Sequence, residues 1–161
     1  MQLGRTRCIL MKHALRPMRI EDIPQVIEIE KQSFPTPWSS YAYNCELNDN
    51  DIAHYLVVIT EDDPQNVLGY GGMWIIIDEA HITNIAIAPN CRGIGLGKLL
   101  MKGLDVLAIQ KKAIRMTLEV RVSNDKAKSL YNKMGFKTIG IRPDYYMDTN
   151  EDAIIMWKEL Y

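Results

Sequence analysis

Asn84-Ile85-Ala86-Ile87-Ala88-Pro89-Asn90-Cys91-Arg92-Gly93-Ile94-Gly95-Leu96-Gly97-Lys98 is the stretch that decides how this chain is read. An apolar run stops at a proline, three glycines follow, and helical spacing then begins through Leu99, Leu100, Leu104, Leu107 and Ala108. A glycine-rich turn between a strand and a helix lets backbone approach a ligand, and amides at a helix N-terminus face an anion that the helix dipole favours. The physics is that of a pyrophosphate cradle. Two other phosphate loops are excluded by counting. A P-loop requires Gly where Arg92 stands and Ser or Thr where Leu99 stands. A dinucleotide fingerprint begun at Gly93 requires Gly where Lys98 stands. The pattern present is Arg92-x-x-Gly95-x-Gly97, for which a turn that merely starts a helix is the plain alternative.

Outward from this loop the chain alternates strands and helices without a repeat or a linker. Cys8 to Leu15 reads as a strand, Ile20 to Gln32 as a helix, and Ser39 caps a short helix reaching about Leu47. Tyr55 to Thr60, Val67 to Ile77 and His81 to Ala88 are three strands in succession, the first two joined by a turn at Asp62 to Asn66. After the Gly95 to Lys111 helix come a strand at Ile114 to Val122, a helix from Ser123 or Asn124 to Met134, and strands at Phe136 to Ile141 and Ala153 to Leu160. The order β-α-α-β-β-β-α-β-α-β-β contains an antiparallel meander and so departs from βαβ nucleotide folds.

The chain has 161 residues, enough for one domain with a core of its own. Its net charge of −1 argues against direct nucleic-acid binding, while leaving room for a basic protein as substrate. Cys8, Cys45 and Cys91 are odd in number and widely spaced, which indicates no disulfide framework and a reducing cytoplasm. His13, His54 and His81 are scattered, so no metal is expected. No run approaches the length needed to span a bilayer. Cys8 to Met11 ends at once in Lys12 and His13, too short for a signal peptide. Met1 to Leu10 reads as a dispensable leader.

Glu119 is the unusual strand residue. It stands between Leu118 and Val120 and by alternation faces away from both, toward the side it shares with Arg121. It is either a chemical group or a solvated partner of Arg121. Tyr131 lies seven residues beyond Asn124, two turns along one side of the last helix. Its plain alternative is a core tyrosine. His81, at a strand end, is a possible auxiliary base or a structural residue.

Taken together, Asn84 to Lys98, Leu118-Glu119-Val120-Arg121-x-Ser123-Asn124 and Ala127-x-x-Leu130-Tyr131-x-x-x-Gly135-Phe136 resemble the GNAT acetyltransferases. Phe34-Pro35-x-Pro37-Trp38, Arg142-Pro143-Asp144-Tyr145-Tyr146 and Glu151 to Met156 resemble the ribosomal-protein-alanine N-acetyltransferase (RimI-type) branch and, beyond it, N-terminal acetyltransferase catalytic subunits. The resemblance runs from about Leu15 to Met156. It implies an α/β (α+β) GNAT fold, a mixed and mostly antiparallel seven-stranded sheet with about four helices.

It also implies acetyl-CoA as cosubstrate and direct attack by the amine, without a covalent enzyme intermediate. Backbone groups of Ile85, Ala86 and Ile87 are implied to hold the pantetheine and polarise the thioester. Arg92, Gly93, Ile94, Gly95, Leu96, Gly97 and Lys98 are implied to cradle the pyrophosphate, with Gly93 and Ile94 standing where the family usually carries basic residues. Asn124 is implied to contact the cofactor, Glu119 to act as general base and Tyr131 as the acid for the leaving sulfur. Phe34, Trp38, Tyr41, Tyr145 and Tyr146 are implied to flank the acceptor. Asp144, Asp148, Glu151 and Asp152 make the last hairpin acidic, which suits a cationic amine or is simply solvated charge. The implied acceptor is a protein N-terminus, first of all the N-terminal alanine of the eighteenth small-subunit ribosomal protein. A lysine or small-molecule amine is the alternative acceptor, and a non-catalytic acyl-CoA sensor the alternative of another class. The expected working form is a monomer or weak dimer.

A branched side chain in the cradle blocks backbone approach. Gly97→Val is therefore expected to raise the acetyl-CoA KM strongly and the acceptor KM much less in steady-state assays, whereas equal effects on both would mean misfolding.

Overall fold

The computed structural model describes residues 8, 9 and 11–161. The elements are β1 (His13–Pro17), α1 (Ile23–Ser33), α2 (Ser40–Asn48), β2 (Ala53–Thr60), β3 (Asp63–Ile76), β4 (Glu79–Ile87), α3 (Leu96–Gln110), β5 (Arg115–Arg121), α4 (Asp125–Lys133), β6 (Lys137–Tyr146) and β7 (Glu151–Glu159). Short 3₁₀ turns precede α1 and α3, at Ile20–Asp22 and Pro89–Cys91. One seven-stranded sheet runs β1-β2-β3-β4-β5-β7-β6. Every neighbouring pair is antiparallel except β4 and β5.

The alternation along β2 builds both sides of the sheet at once. Leu56 and Val58 point to one face and pack with Met73, Leu100, Met101, Leu104 and Ala108, so α3 covers that face. Tyr55, Val57 and Ile59 point to the other face and pack with Val26, Ile29, Tyr43 and Tyr70, which seats α1 and α2 there. β2 and β3 are thus buried on both sides, and continuous apolar runs such as Tyr55 to Ile59 are the consequence.

The expected element order is the observed one, with shifts at the ends. β1 begins at His13 rather than Cys8. The expected Asp62 to Asn66 turn is mostly strand, because irregularities at Val58/Ile59 and Ile59/Thr60 let β2 and β3 pair down to Thr60 and Asp63. Ser39 caps α2 by accepting from Ala42 N at 3.1 Å, and Asn124 caps α4 by accepting from Ala127 N at 3.2 Å. β6 continues to Tyr146, so the two tyrosines expected in a loop stand at the end of a strand.

One expectation is corrected. Cys8 and Cys91 form a disulfide with a Cα–Cα distance of 5.9 Å, and both are buried in the α3-side core. The sequence gives no hint of this pairing because 83 residues separate the two. Most of the Met1 to Leu10 leader lies outside the described residues, but Cys8 belongs to it. A chain beginning at Met11 is accordingly expected to keep its kcat, since no cavity residue is lost, and to melt lower by the worth of a long-loop disulfide, about 2–4 kcal/mol under oxidising conditions. Thermal melts with and without reductant check this, and an identical Tm in both chains would leave Cys8 with no stabilising role.

Candidate active site

β4 and β5 pair over only three positions, Glu79↔Arg115, Ala80↔Met116 and His81↔Thr117. Beyond His81 the two strands part. β5 instead keeps a seven-residue register with β7, from Arg115↔Glu159 to Arg121↔Ala153. The side of β4 facing the gap, from Ile82 to Ile87, therefore carries backbone groups with no strand partner there. A wedge of this shape, open between two strands and leading to a glycine-rich helix start, fits an extended pantetheine with its pyrophosphate at α3.

The cradle has the backbone such a role requires. Gly93 and Gly95 have φ of +78° and +91°, in the left-handed region that favours glycine. At Gly97 an added Cβ would lie 3.2 Å from Leu130 Cδ2, so this glycine also lets α3 approach α4 closely. Arg92 folds back on the protein, donating to Ile87 O at 2.9 Å and to Ser33 Oγ at 2.9 Å, and so fastens the loop to the end of β4. Leu96 is buried in the core.

A cavity of about 890 Å³ opens at the wedge. Ile82 to Ile85, Leu118 to Arg121, Asn124, Tyr131, Tyr145 and Tyr146 line it, with Phe34 and Trp38 on the opposite wall. The structure thus gathers Glu119, Tyr131 and Asn124 with four of the five aromatic residues named for the acceptor side. Tyr41 is the exception: it is 79% exposed and does not line the cavity. Ala86, Ile87 and residues 92–98 lie outside the cavity lining, along the path to α3. Asn124 spends its Oδ1 on capping α4 and has its amide nitrogen left for a ligand.

Glu119 faces the cavity, while the Leu118 and Val120 side chains pack into the α3-side core. Its expected alternative partner, Arg121, is engaged elsewhere: Arg121 holds Asp148 with two bonds of 2.9 Å and donates to Thr149 Oγ1 at 2.7 Å. The Glu119 carboxylate instead meets His81 Nε2 at 2.6 Å and Arg142 Nε at 3.7 Å. The His81 hydrogen bond holds Glu119 below the ordinary carboxylate range; burial opposes it, and the Arg142 charge adds to it. In the neutral ring this bond fixes the Nε2–H tautomer. His81 itself does not line the cavity and meets it only through Glu119. Sequence reading saw His81 but could not see this contact, because it joins β4 to β5 across 38 residues.

Tyr131 is buried against Phe136 and lines the cavity floor. Burial, then the neighbouring Tyr146, pushes its phenol upward, so it stays protonated and able to donate. Burial likewise raises Tyr146 to about 12, against the opposing charge of Arg121, whose guanidinium lies 4.0 Å from the Tyr146 ring centroid. Arg142 stands similarly by Tyr145, at 5.8 Å. Among the described residues no cluster of His, Cys, Asp and Glu could hold a metal ion.

Residues 23–136 match the Acetyltransferase (GNAT) family. The chain belongs to this family. It is 49% identical over 146 residues to a Bacillus subtilis protein provisionally named [ribosomal protein bS18]-alanine N-acetyltransferase, covering 91% of this chain and 95% of the relative. A Haemophilus influenzae [ribosomal protein bS18]-alanine N-acetyltransferase is 35% identical over 139 residues, covering 84% and 90%. The crystal structure of the ribosomal-protein-S18-alanine N-acetyltransferase from Escherichia coli superposes with a TM-score of 0.81 at 27% identity, covering 92% of this chain and 94% of that one. The GNAT fold expected from sequence is the fold observed, and the chain is an acetyltransferase of that family.

Replacing Glu119 tests the site. Glu119→Gln is expected to lower kcat by roughly 10²–10⁴ at pH 7 with acetyl-CoA binding nearly intact. His81→Ala removes the first cause of the depressed Glu119 pKa. A carboxylate with a depressed pKa stays charged until pH falls through that low value, so the acid limb of the kcat/KM profile should move to higher pH in this variant. An unmoved limb would detach His81 from Glu119.

Proposed function

We propose that this chain transfers the acetyl group of acetyl-CoA to the α-amino group of a protein N-terminus, and that the N-terminal alanine of ribosomal protein bS18 is its acceptor. The observation that carries the reading is Glu119: a carboxylate aimed into a cavity at the open end of the β4–β5 wedge, in a chain closely similar to relatives named for that reaction.

The proposed roles follow the geometry. Acetyl-CoA supplies the acetyl thioester. Ile85, Ala86 and Ile87 offer it the unpartnered backbone edge of β4, donors of the kind that stabilise charge on a carbonyl oxygen. Gly93, Gly95 and Gly97, with the first amides of α3, receive its pyrophosphate; Arg92 holds this loop, Lys98 adds charge and Asn124 Nδ2 adds a donor. Phe34, Trp38, Tyr145 and Tyr146 wall in the acceptor. The acceptor nitrogen bonds to the acetyl carbon as the carbon–sulfur bond breaks. Glu119 takes the proton that nitrogen loses, and Tyr131 Oη donates one to the leaving sulfur. We place this reaction in a monomer or weak dimer working in the cytoplasm, where ribosomal proteins are made.

Peptides that differ at residue one, incubated with acetyl-CoA and read by mass spectrometry, test the acceptor. The expected product is Nα-acetylation of a peptide starting with Ala, with lysines untouched. In the same assay the rate should rise with pH through the acceptor's own titration, around pH 8 for an α-amine and only near pH 10 for a lysine, because the neutral amine is the attacking form. Acetylation confined to lysines would overturn the proposed acceptor.

A further inference from the structure

Glu30 is a cavity-lining carboxylate to which the proposed chemistry assigns nothing, and unlike Asp148 and Glu151 it is buried. It sits in the last turns of α1 and is 1% exposed. Among the described residues it has no cationic partner. Its Oε1 accepts from Tyr43 Oη at 2.7 Å, from Tyr70 Oη, and from Asn84 Nδ2 at 3.1 Å; its Oε2 accepts from Trp38 N at 2.9 Å. A buried charge is costly, and a well-packed apolar side chain of similar volume is often neutral or stabilising in its place. Filling space between α1 and the sheet therefore does not account for a carboxylate here.

What it joins does. Trp38 N ends the Phe34–Pro37 loop, the wall proposed for the acceptor. Asn84 stands at the irregularity of β4, where the β3 register steps from Gly72↔Asn84 to Met73↔Ile82 and passes over Thr83. The next residue, Ile85, begins the edge proposed for the thioester. Because a carboxylate only accepts, Asn84 must turn its Nδ2 inward, and this fixes the amide and the bulge that carries it. Tyr43 and Tyr70, fully buried and with phenols pushed up first by burial, complete the frame from α2 and β3.

We propose that Glu30 is a positioning residue that sets the acceptor wall against the acyl-bearing strand, and with it the distance between the attacking nitrogen and the thioester carbon. The inference rests on the acetyl-transfer reading of the cavity. A misplacement of 1 Å at a reacting centre costs on the order of 100-fold in rate.

Glu30→Gln keeps the volume but turns a donor toward donors. It is expected to lower kcat about 10- to 100-fold and raise the acceptor KM, while the Kd for acetyl-CoA stays within about twofold. Tyr43→Phe removes a donor on the α2 side while keeping the ring that packs against Trp38 at 5.5 Å and the bonds from Trp38 N and Asn84 to Glu30. It should lower Tm as Glu30→Gln does yet hold kcat near wild type, an outcome a purely structural Glu30 does not produce. The paired change Glu30→Gln with Asn84→Ala should cost less in kcat than the product of the two single losses. If Glu30→Gln does not fold, Glu30→Asp, too short to reach Trp38 N and Asn84 together, takes its place with the same expectation. Wild-type kcat in the Glu30 variant, a kcat loss equal to that of Tyr43→Phe, or multiplicative effects with Asn84→Ala would each overturn the inference. Should the wild-type protein acetylate a lysine or a small amine instead, the proposed acceptor falls and the same comparison is made on that amine.

Discussion

The parting of β4 from β5 is the constraint on which the rest of this molecule depends. A parallel pair would normally continue its evenly spaced ladder, and here it stops after three residues. Two competing demands account for it. β5 satisfies its other edge completely against β7, while β4 is re-aimed by the irregularity at Thr83 and then turned away at Pro89 toward α3. Exposed strand edges are a liability in most proteins because they invite another strand. In this fold the open edge lies in the middle of the sheet, between β4 and β5, and faces a cavity lined by α4 and the aromatic loop rather than the outside of the sheet.

Around the wedge, charge is tied down rather than left free. Asp148 is drawn to about 2 by its two bonds from Arg121, with Thr36 Oγ1 adding a third at 3.1 Å. Glu151 accepts from Ser123 N, and Asp152 accepts from Asp144 N. The acidic character of the last hairpin, for which the sequence left open an attraction for a cation or simply solvated charge, is thus mainly internal wiring. It joins the hairpin to β5 and to the Phe34–Trp38 loop on the far side of the cavity. Arg121 and Arg142 each do double duty, pairing with a carboxylate and lying against one of the two tyrosines. Exposed pairs of this kind contribute little to stability, so their worth lies in fixing where Tyr145 and Tyr146 stand.

What could be read in the sequence was what is local. The caps at Ser39 and Asn124, the glycine turn, the facing of Glu119 and the order of elements all follow from residues within a few positions of one another. What escaped reading depends on contacts across the sheet. Cys8 with Cys91, His81 with Glu119, Thr36 with Asp148, and Glu30 with Tyr70 and Asn84 are separated by 38 to 112 residues, and no periodicity encodes them. Tyr41 failed for a related reason. On a short helix whose neighbour Tyr43 is fully buried, position 41 turns outward, and the aromatic character that suggested a binding wall carries no information about which way it points.

The depressed Glu119 pKa bears on how Glu119 would act in the proposed reaction. An α-ammonium titrates near 8 and an ordinary glutamate near 4.3, so moving the proton directly between them is uphill by about 5 kcal/mol, and lowering the glutamate makes it worse. Leaving the proton to water is cheaper, since a neutral α-amine at pH 7 costs only about 1.4 kcal/mol. Glu119 is therefore poorly placed to deprotonate the resting ammonium. It is well placed to hold that cation by charge and to accept the proton once bond formation to the acetyl carbon has drawn electron density from the nitrogen and made it acidic. A carboxylate kept charged by His81 and Arg142 serves both steps, and a strong base would serve neither better. In the proposed reaction the bond from His81 would serve the chemistry: it keeps Glu119 anionic and aimed, at the end of the paired stretch that β4 and β5 share.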